Sequence, residues 1–212
     1  MTNGFRRTLV LVRHGQSEDN ERDLFSGLRD PALTPRGVEE AHAAGRELKR
    51  HGLRFTHAFT SVLQRARRTM AAILEELGQG DLPVRSDAAL NERDYGAIAG
   101  LNKTQARARF SAEQVRVWRK SFDVAPPGGE SLAMTAARVW PFYEREIAPA
   151  VRDGGCALLV GHGNALRSML MRLDGIDPKD IEEVNIGTAQ FLVYAMAEDD
   201  DRLVKTTLRP VG

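Results

Sequence analysis

His14 follows the apolar run Leu9–Val12 through Arg13 and precedes a glycine, in Leu-Val-Arg-His-Gly. An unprotonated imidazole is a nucleophile near neutral pH. Arg13 keeps its charge at any relevant pH and can grip a phosphate with two parallel hydrogen bonds. Gly15 allows a sharp turn or a close backbone approach. Alone, this triplet also fits a capping histidine beside a surface arginine. His162 repeats the arrangement far along the chain, in Val-Gly-His-Gly-Asn, again after an apolar run. Two histidines at strand ends are harder to explain by packing. They could share a metal, with Glu18 and Glu92 as further ligands. Arg13 and Arg65 weigh against that, because positive charge repels a divalent cation and attracts a phosphate. Arg65 itself reads either as an anion contact near a helix N-terminus or, beside Arg67 and Arg68, as a solvated surface residue. Asn164 and the amides after Gly163 offer the same service at another helix start. Glu92, in Leu-Asn-Glu-Arg-Asp-Tyr-Gly, could work as a general acid or base, or form a loop ion pair with Arg93.

These residues need a scaffold that brings them together. Thr8–Val12, Phe55–Thr60 and Ala157–Val160 are short β-rich apolar runs of the kind buried on both faces of a sheet. Val84–Leu90, Phe191–Tyr194 and Leu203–Leu208 are further strand candidates, the last at an edge after a turn at Asp199-Asp200-Asp201. Helical patterns lie between them. Thr34-Pro35 supplies an N-cap and a first-turn proline for a helix ending near Arg50, before Gly52. Ser61 is expected to cap a second helix, with Val62, Ala66, Thr69, Ile73 and Leu77 near one face and Gly78 at its end. Ser131 begins a third, to about Val151, and Asn164–Leu173 is a fourth. Such alternation predicts an α/β three-layer sandwich: a mostly parallel central sheet, helices on both faces and an antiparallel edge strand. Ligands of these folds bind beyond the carboxyl ends of the strands, where His14, Ser61 and His162 all fall.

Composition narrows the class. A chain of 212 residues with 42% hydrophobic and 28% charged residues suits one soluble globular domain over 1–212. A net charge of +1 makes neither nucleic acid nor an anionic membrane the default partner. The segment 102–120 carries Lys103, Arg107, Arg109, Arg116, Arg119 and Lys120 against one acid, Glu113. It reads as a solvated helix face, or as part of a pocket for a substrate with a second anionic group; it has little other sign of nucleic-acid readout. Cys156 is the sole cysteine, expected as a buried structural thiol in a reducing, cytoplasmic setting. The apolar run Leu9–Val12 is too short for a signal peptide, and no stretch approaches the roughly 18 apolar residues of a membrane span.

Taken together, the motifs resemble the histidine phosphatase superfamily, and within it the cofactor-dependent phosphoglycerate mutases. The similarity runs through Leu-Val-Arg-His-Gly-Gln-Ser-Glu-Asp-Asn (11–20), Phe-Ser-Gly-Leu-Arg-Asp (25–30), Leu-Thr-Pro-Arg-Gly (33–37) and Thr-Ser-Val-Leu-Gln-Arg-Ala (60–66). It continues in Leu-Asn-Glu-Arg-Asp-Tyr-Gly-Ala (90–97), Gly-Leu-Asn-Lys (100–103), Gly-His-Gly-Asn-Ala-Leu-Arg (161–167) and Asn-Ile-Gly-Thr (185–188). The resemblance implies that His14 is phosphorylated, that Glu92 moves the proton, and that Arg13, Arg65 and His162 surround the phosphoryl group. It implies a substrate pocket completed by Gly15, Gln16, Ser17, Asn20, Ser26, Gly27, Arg93, Tyr95, Lys103, Arg119, Lys120, Gly163 and Asn164. It also implies 2,3-bisphosphoglycerate as phosphoryl donor, no metal, small phosphorylated three-carbon acids as substrates of glycolysis and gluconeogenesis, and a homodimer. Three departures stand out: Lys120 where many members have arginine, Ser26 in place of threonine, and a short Asp123–Glu130 connection with almost no tail beyond Leu208. Two other functions fit the same residues: a metal-independent phosphatase passing the group to water, and a non-catalytic phospholigand binder.

Overall fold

The computed structural model describes residues 5–197 and 202–208, excepting the side chains of Lys120 and Glu182. The turn expected at Asp199–Asp201 and the chain beyond Leu208 lie outside the described residues. Strands β1 (Thr8–Arg13), β2 (His57–Thr60), β3 (Val84–Ser86), β4 (Cys156–Gly161), β5 (Phe191–Met196) and β6 (Leu203–Thr206) form one sheet in the order β3-β2-β4-β1-β5-β6. β1 to β4 are mutually parallel; β5 runs antiparallel to β1, and β6 pairs antiparallel with β5 at the edge.

Alternate residues of the central strands feed two cores, which is why those strands read as unbroken apolar runs. Leu9, Leu11, Ala157 and Leu159 face α6 (Leu132–Phe142), its continuation through a π-turn at Tyr143–Ile147 into α7 (Ala148–Arg152), and α8 (Gly163–Leu173). Val10, Val12, Leu158 and Val160 face α2 (Pro35–Arg50) and α3 (Gln64–Glu76). Cys156 is buried in this second core, where desolvation pushes its thiol up to about 12. The Thr34 hydroxyl caps α2 by accepting from the Gly37 amide, with Pro35 at the first helical position.

Four local expectations change. The second helix begins at Gln64, not Ser61, and Val62 lies outside it and exposed. The Ser61 hydroxyl is engaged elsewhere, with His162. The strand expected over Val84–Leu90 stops at Ser86, because the Asp87 carboxylate accepts from the Ala89 amide and starts a 3₁₀ turn at Ala88–Leu90. The basic segment is two helices, α4 (Lys103–Phe110) and α5 (Ala112–Lys120), broken at Ser111, whose φ is +71°. Its buried side carries Ala106, Val115 and Trp118, packed on Phe25 and Ile98. The final strand ends at Thr206 rather than Leu208. One short helix, α1 (Glu18–Glu21), was not anticipated; Ser17 and Asn20 form its capping box.

Candidate active site

The sheet delivers the two histidines. Arg13 and Gly161 are register partners at the carboxyl ends of neighbouring strands, so His14 and His162 emerge side by side. Their rings lie 5.1 Å apart, tilted by 57°, and both are buried. His14 Nδ1 lies 2.7 Å from the Gly15 carbonyl oxygen. A carbonyl only accepts, so Nδ1 holds the proton and Nε2 keeps its lone pair. His162 Nε2 lies 2.7 Å from the Ser61 hydroxyl, which also accepts from the Leu63 amide at 3.2 Å. His162 Nδ1 is buried without a partner.

Cations surround this pair. Arg65 sits in the first turn of α3 and is wholly buried, not solvated. Its two Nη atoms donate to the carbonyls of Arg29 and Gly27 at 2.8 and 2.9 Å. Arg13 donates to the Ile186 carbonyl at 2.6 Å. Arg93 donates to the Trp118 carbonyl at 3.1 Å and stacks over Tyr95. The Nε atoms of all three arginines, and Arg93 Nη2, are buried without a hydrogen-bond partner. Each such orphan costs about 1–3 kcal/mol, a penalty an anion in reach would remove. Desolvation, then Arg65 and Arg13, hold the His14 pKa well below the usual histidine value. His162 is lowered the same way, by burial and then by Arg65, His14, Arg13 and Arg138. Both rings are therefore neutral near pH 7.

Glu92 reaches the same place from its loop. Its Oε1 accepts from the amides of Arg93 and Asn164, at 2.8 and 3.0 Å. The expected Glu92–Arg93 loop ion pair is replaced by these backbone contacts. A Cβ on Gly163 would stand 3.5 Å from Glu92 Oε2. Asn164 Nδ2 donates to the Tyr95 hydroxyl.

A cavity of about 170 Å³ opens at this point. Of the residues singled out from sequence, Arg13, His14, Asn20, Ser26, Gly27, Arg65, Glu92, Tyr95, Lys103 and Arg119 line it. His162, Arg93, Gly163 and Asn164 stand behind that lining, joined to it by the contacts above. Three others are held by different partners. The Gly15 amide donates to Thr69, and its missing Cβ makes room for the Gly37 carbonyl rather than for a ligand. Gln16 is bound to Thr34 and Glu40, and Ser17 caps α1. Glu18 is exposed. The Lys120 side chain lies outside the described residues. Sequence reasoning missed Asp23, which pairs with Lys103, and Leu24 and Phe25, which line the cavity through a loop without periodicity. It also missed Ser61 as a partner of His162, although its place at a strand end was the available signal.

Comparison with known proteins follows the same lines. The histidine phosphatase superfamily (branch 1) model matches residues 9–208. A relative from Methylobacterium sp. (strain 4-46) is 56% identical over 193 residues, covering 91% of this chain and 93% of its own. Another from Mesorhizobium japonicum is 52% identical over 202 residues, covering 95% and 98%. Both are described as 2,3-bisphosphoglycerate-dependent phosphoglycerate mutases. Among solved structures, a mycobacterial glucosyl-3-phosphoglycerate phosphatase complexed with VO3 gives a TM-score of 0.82 at 27% identity, over 97% of this chain and 100% of that one. The α-ribazole phosphatase of Shigella flexneri shares the fold, with a TM-score of 0.79 at 24% identity and 95% coverage of each chain. With paired histidines on one sheet rim and the family match spanning nearly its full length, the chain belongs to the histidine phosphatase superfamily.

Proposed function

We propose that this protein interconverts 3-phosphoglycerate and 2-phosphoglycerate through a phosphoryl group carried on His14. The observation that carries the proposal is the His14 ring: buried, neutral, its Nδ1 proton committed to Gly15 and its Nε2 free beside unsatisfied guanidinium N–H groups. The relatives at 52–56% identity, named for this activity, support the same reading.

Bound 2,3-bisphosphoglycerate would supply the phosphoryl group that primes His14. The site fits such a polyanion, because Arg13 and Arg65, each with a buried N–H that lacks an acceptor, line a cavity that Lys103 and Arg119 also line. In the transfer, His14 Nε2 bonds to phosphorus as the bond to the leaving oxygen breaks, in line. Arg13, Arg65 and His162 hold the equatorial oxygens, fixed in place before charge develops. The Leu63 amide donates to Ser61, whose hydroxyl proton turns to His162 Nε2, so that Nδ1–H faces the phosphoryl group. Glu92 gives its proton to the leaving oxygen and later takes one from the hydroxyl that accepts the group. Asn20, Ser26, Tyr95, Lys103 and Arg119 hold the rest of the substrate. The same reading makes the protein a cytoplasmic homodimer, which sedimentation of the purified chain would test.

A second reading, hydrolysis, has the mycobacterial phosphatase in its favour. One assay separates them. With 3-phosphoglycerate and a trace of 2,3-bisphosphoglycerate, 2-phosphoglycerate should form far faster than inorganic phosphate. Phosphate as the main product would make the protein a phosphatase. Neither product would leave a binder.

A further inference from the structure

Arg138 lies in α6 and lines no part of the cavity. A guanidinium has five N–H donors, and here each has an acceptor. Nη1 donates to the carbonyls of Ala89 and Asn91, at 2.9 and 2.8 Å. Nη2 donates to the carbonyl of Glu92 at 2.9 Å. Nε and Nη2 also grip Glu130 as a fork, at 2.9 and 2.8 Å. Three of the five bonds thus end on the backbone that carries Glu92. Glu130 closes the clamp from the other side. Its Oε2 accepts from the Asp94 amide at 3.0 Å, and its own amide donates to the Asp94 carbonyl at 2.9 Å. The loop is therefore gripped at residues 89, 91, 92 and 94, on both sides of the proposed acid. Burial alone would push the Glu130 carboxyl up; the Arg138 and Asp94 hydrogen bonds bring it below its ordinary value, so the clamp stays charged.

Besides this clamp, the segment is held by side chains: Asn91 Oδ1 accepts from the Val62 amide and Arg93 donates to the Trp118 carbonyl. Asn91 and the residues through Asp94 belong to no helix or strand. The Glu92 carboxyl must nevertheless keep its Oε1 bond to the Asn164 amide on another element. A lysine has three donors radiating from one atom and cannot reach three carbonyls and a carboxylate at once.

We infer that the Arg138–Glu130 pair is a positioning device for Glu92, setting the proton-transfer step without touching substrate. This rests on the proposed role of Glu92. The effect should therefore follow the leaving group's need for a proton. An alkyl oxygen leaves poorly unless protonated, whereas p-nitrophenolate leaves without an acid.

The test compares Arg138→Lys, Glu130→Gln and Glu92→Gln with the unaltered protein on two substrates. One is 3-phosphoglycerate with 2,3-bisphosphoglycerate; the other is p-nitrophenyl phosphate, read as phosphorylation of His14. Glu92→Gln should lose on the order of 100-fold or more on the first, the usual worth of a general acid, and little on the second. Arg138→Lys should show the same split with a smaller loss, mostly in kcat, and with a displaced pH profile. Glu130→Gln keeps the outline of the side chain and carries the test where Arg138→Lys folds poorly. Equal losses on both substrates, or no loss on either, would overturn the inference. Should the unaltered protein label His14 but fail to isomerise, the mutase reading falls. The clamp is then tested by the same split with hydrolysis of an alkyl phosphate.

Discussion

The proton on His14 Nδ1 is committed to the Gly15 carbonyl, and that single bond decides which nitrogen can attack. Burial and two guanidinium groups then keep the ring from taking a second proton. Phosphorylation of His14 should persist below pH 6.5, where an ordinary histidine protonates. Rapid-quench labelling across an acid series checks this; a loss centred at 6.5 would contradict it. The same shift affects stability. A histidine lowered in the fold but ordinary in the unfolded chain binds protons preferentially on unfolding. Stability should be full above 6.5 and decline as pH falls from there toward the lower folded value. Thermal unfolding of the protein should show this slope, and His162→Asn should flatten it. Ser61→Ala removes the hydroxyl that fixes the His162 tautomer and orientation, while the ring itself remains to donate. The expected loss in kcat is about 10-fold, short of the 10²–10³ lost with a donor itself.

At the scale of elements, the loop carrying His14 is pressed against the start of α2. A Cβ on Gly37 would lie 2.0 Å from the Gln16 carbonyl oxygen, and one on Gly15 would lie 2.2 Å from that of Gly37. Neither contact has room to relax, being backbone against backbone. Gly37→Ala should cost about 1–3 kcal/mol, the usual scale of overpacking, in denaturant unfolding, and should slow His14 labelling by displacing its loop. Elements with strong patterns were legible in the sequence for matching reasons. β1, β4 and α8 follow from apolar runs and glycine punctuation, and α2 from Thr34-Pro35 and Gly52. The departures arise where a side chain takes a partner that its element would not give it. Ser61 turns to His162 instead of capping α3, and Asp87 ends β3 by hydrogen bonding its own loop. The first partner lies far along the chain, where no local pattern encodes it; the second is a local aspartate turn that competes with the strand.

Over the whole molecule, the rim of a parallel sheet concentrates positive charge. The histidines could be paired from sequence because both followed buried strands. The loop contacts of Arg138, Glu130, Asp23 and Phe25 could not, since they depend on how α4 to α6 close over that rim. Folding buries Arg65 at a cost that burial registers as a lowered pKa, partly offset by Glu92, Asp30 and Asp19. An anion should complete the compensation. Inorganic phosphate at 100 times its Kd should stabilise the fold by about 2.7 kcal/mol. Melting curves with added phosphate should rise accordingly, and Arg65→Gln should lose most of that rise. An unchanged melting temperature would mean that the orphan donors do not form an anion site.

The most direct measurement is a single turnover with 2,3-bisphosphoglycerate, quenched in base, with the phosphoryl group located by mass spectrometry. It should sit on His14, be labile to acid, and pass to added 3-phosphoglycerate faster than to water. His14→Ala should take up none. Phosphate found on another residue, or no covalent phosphate while isomerisation continues, would contradict the central claim.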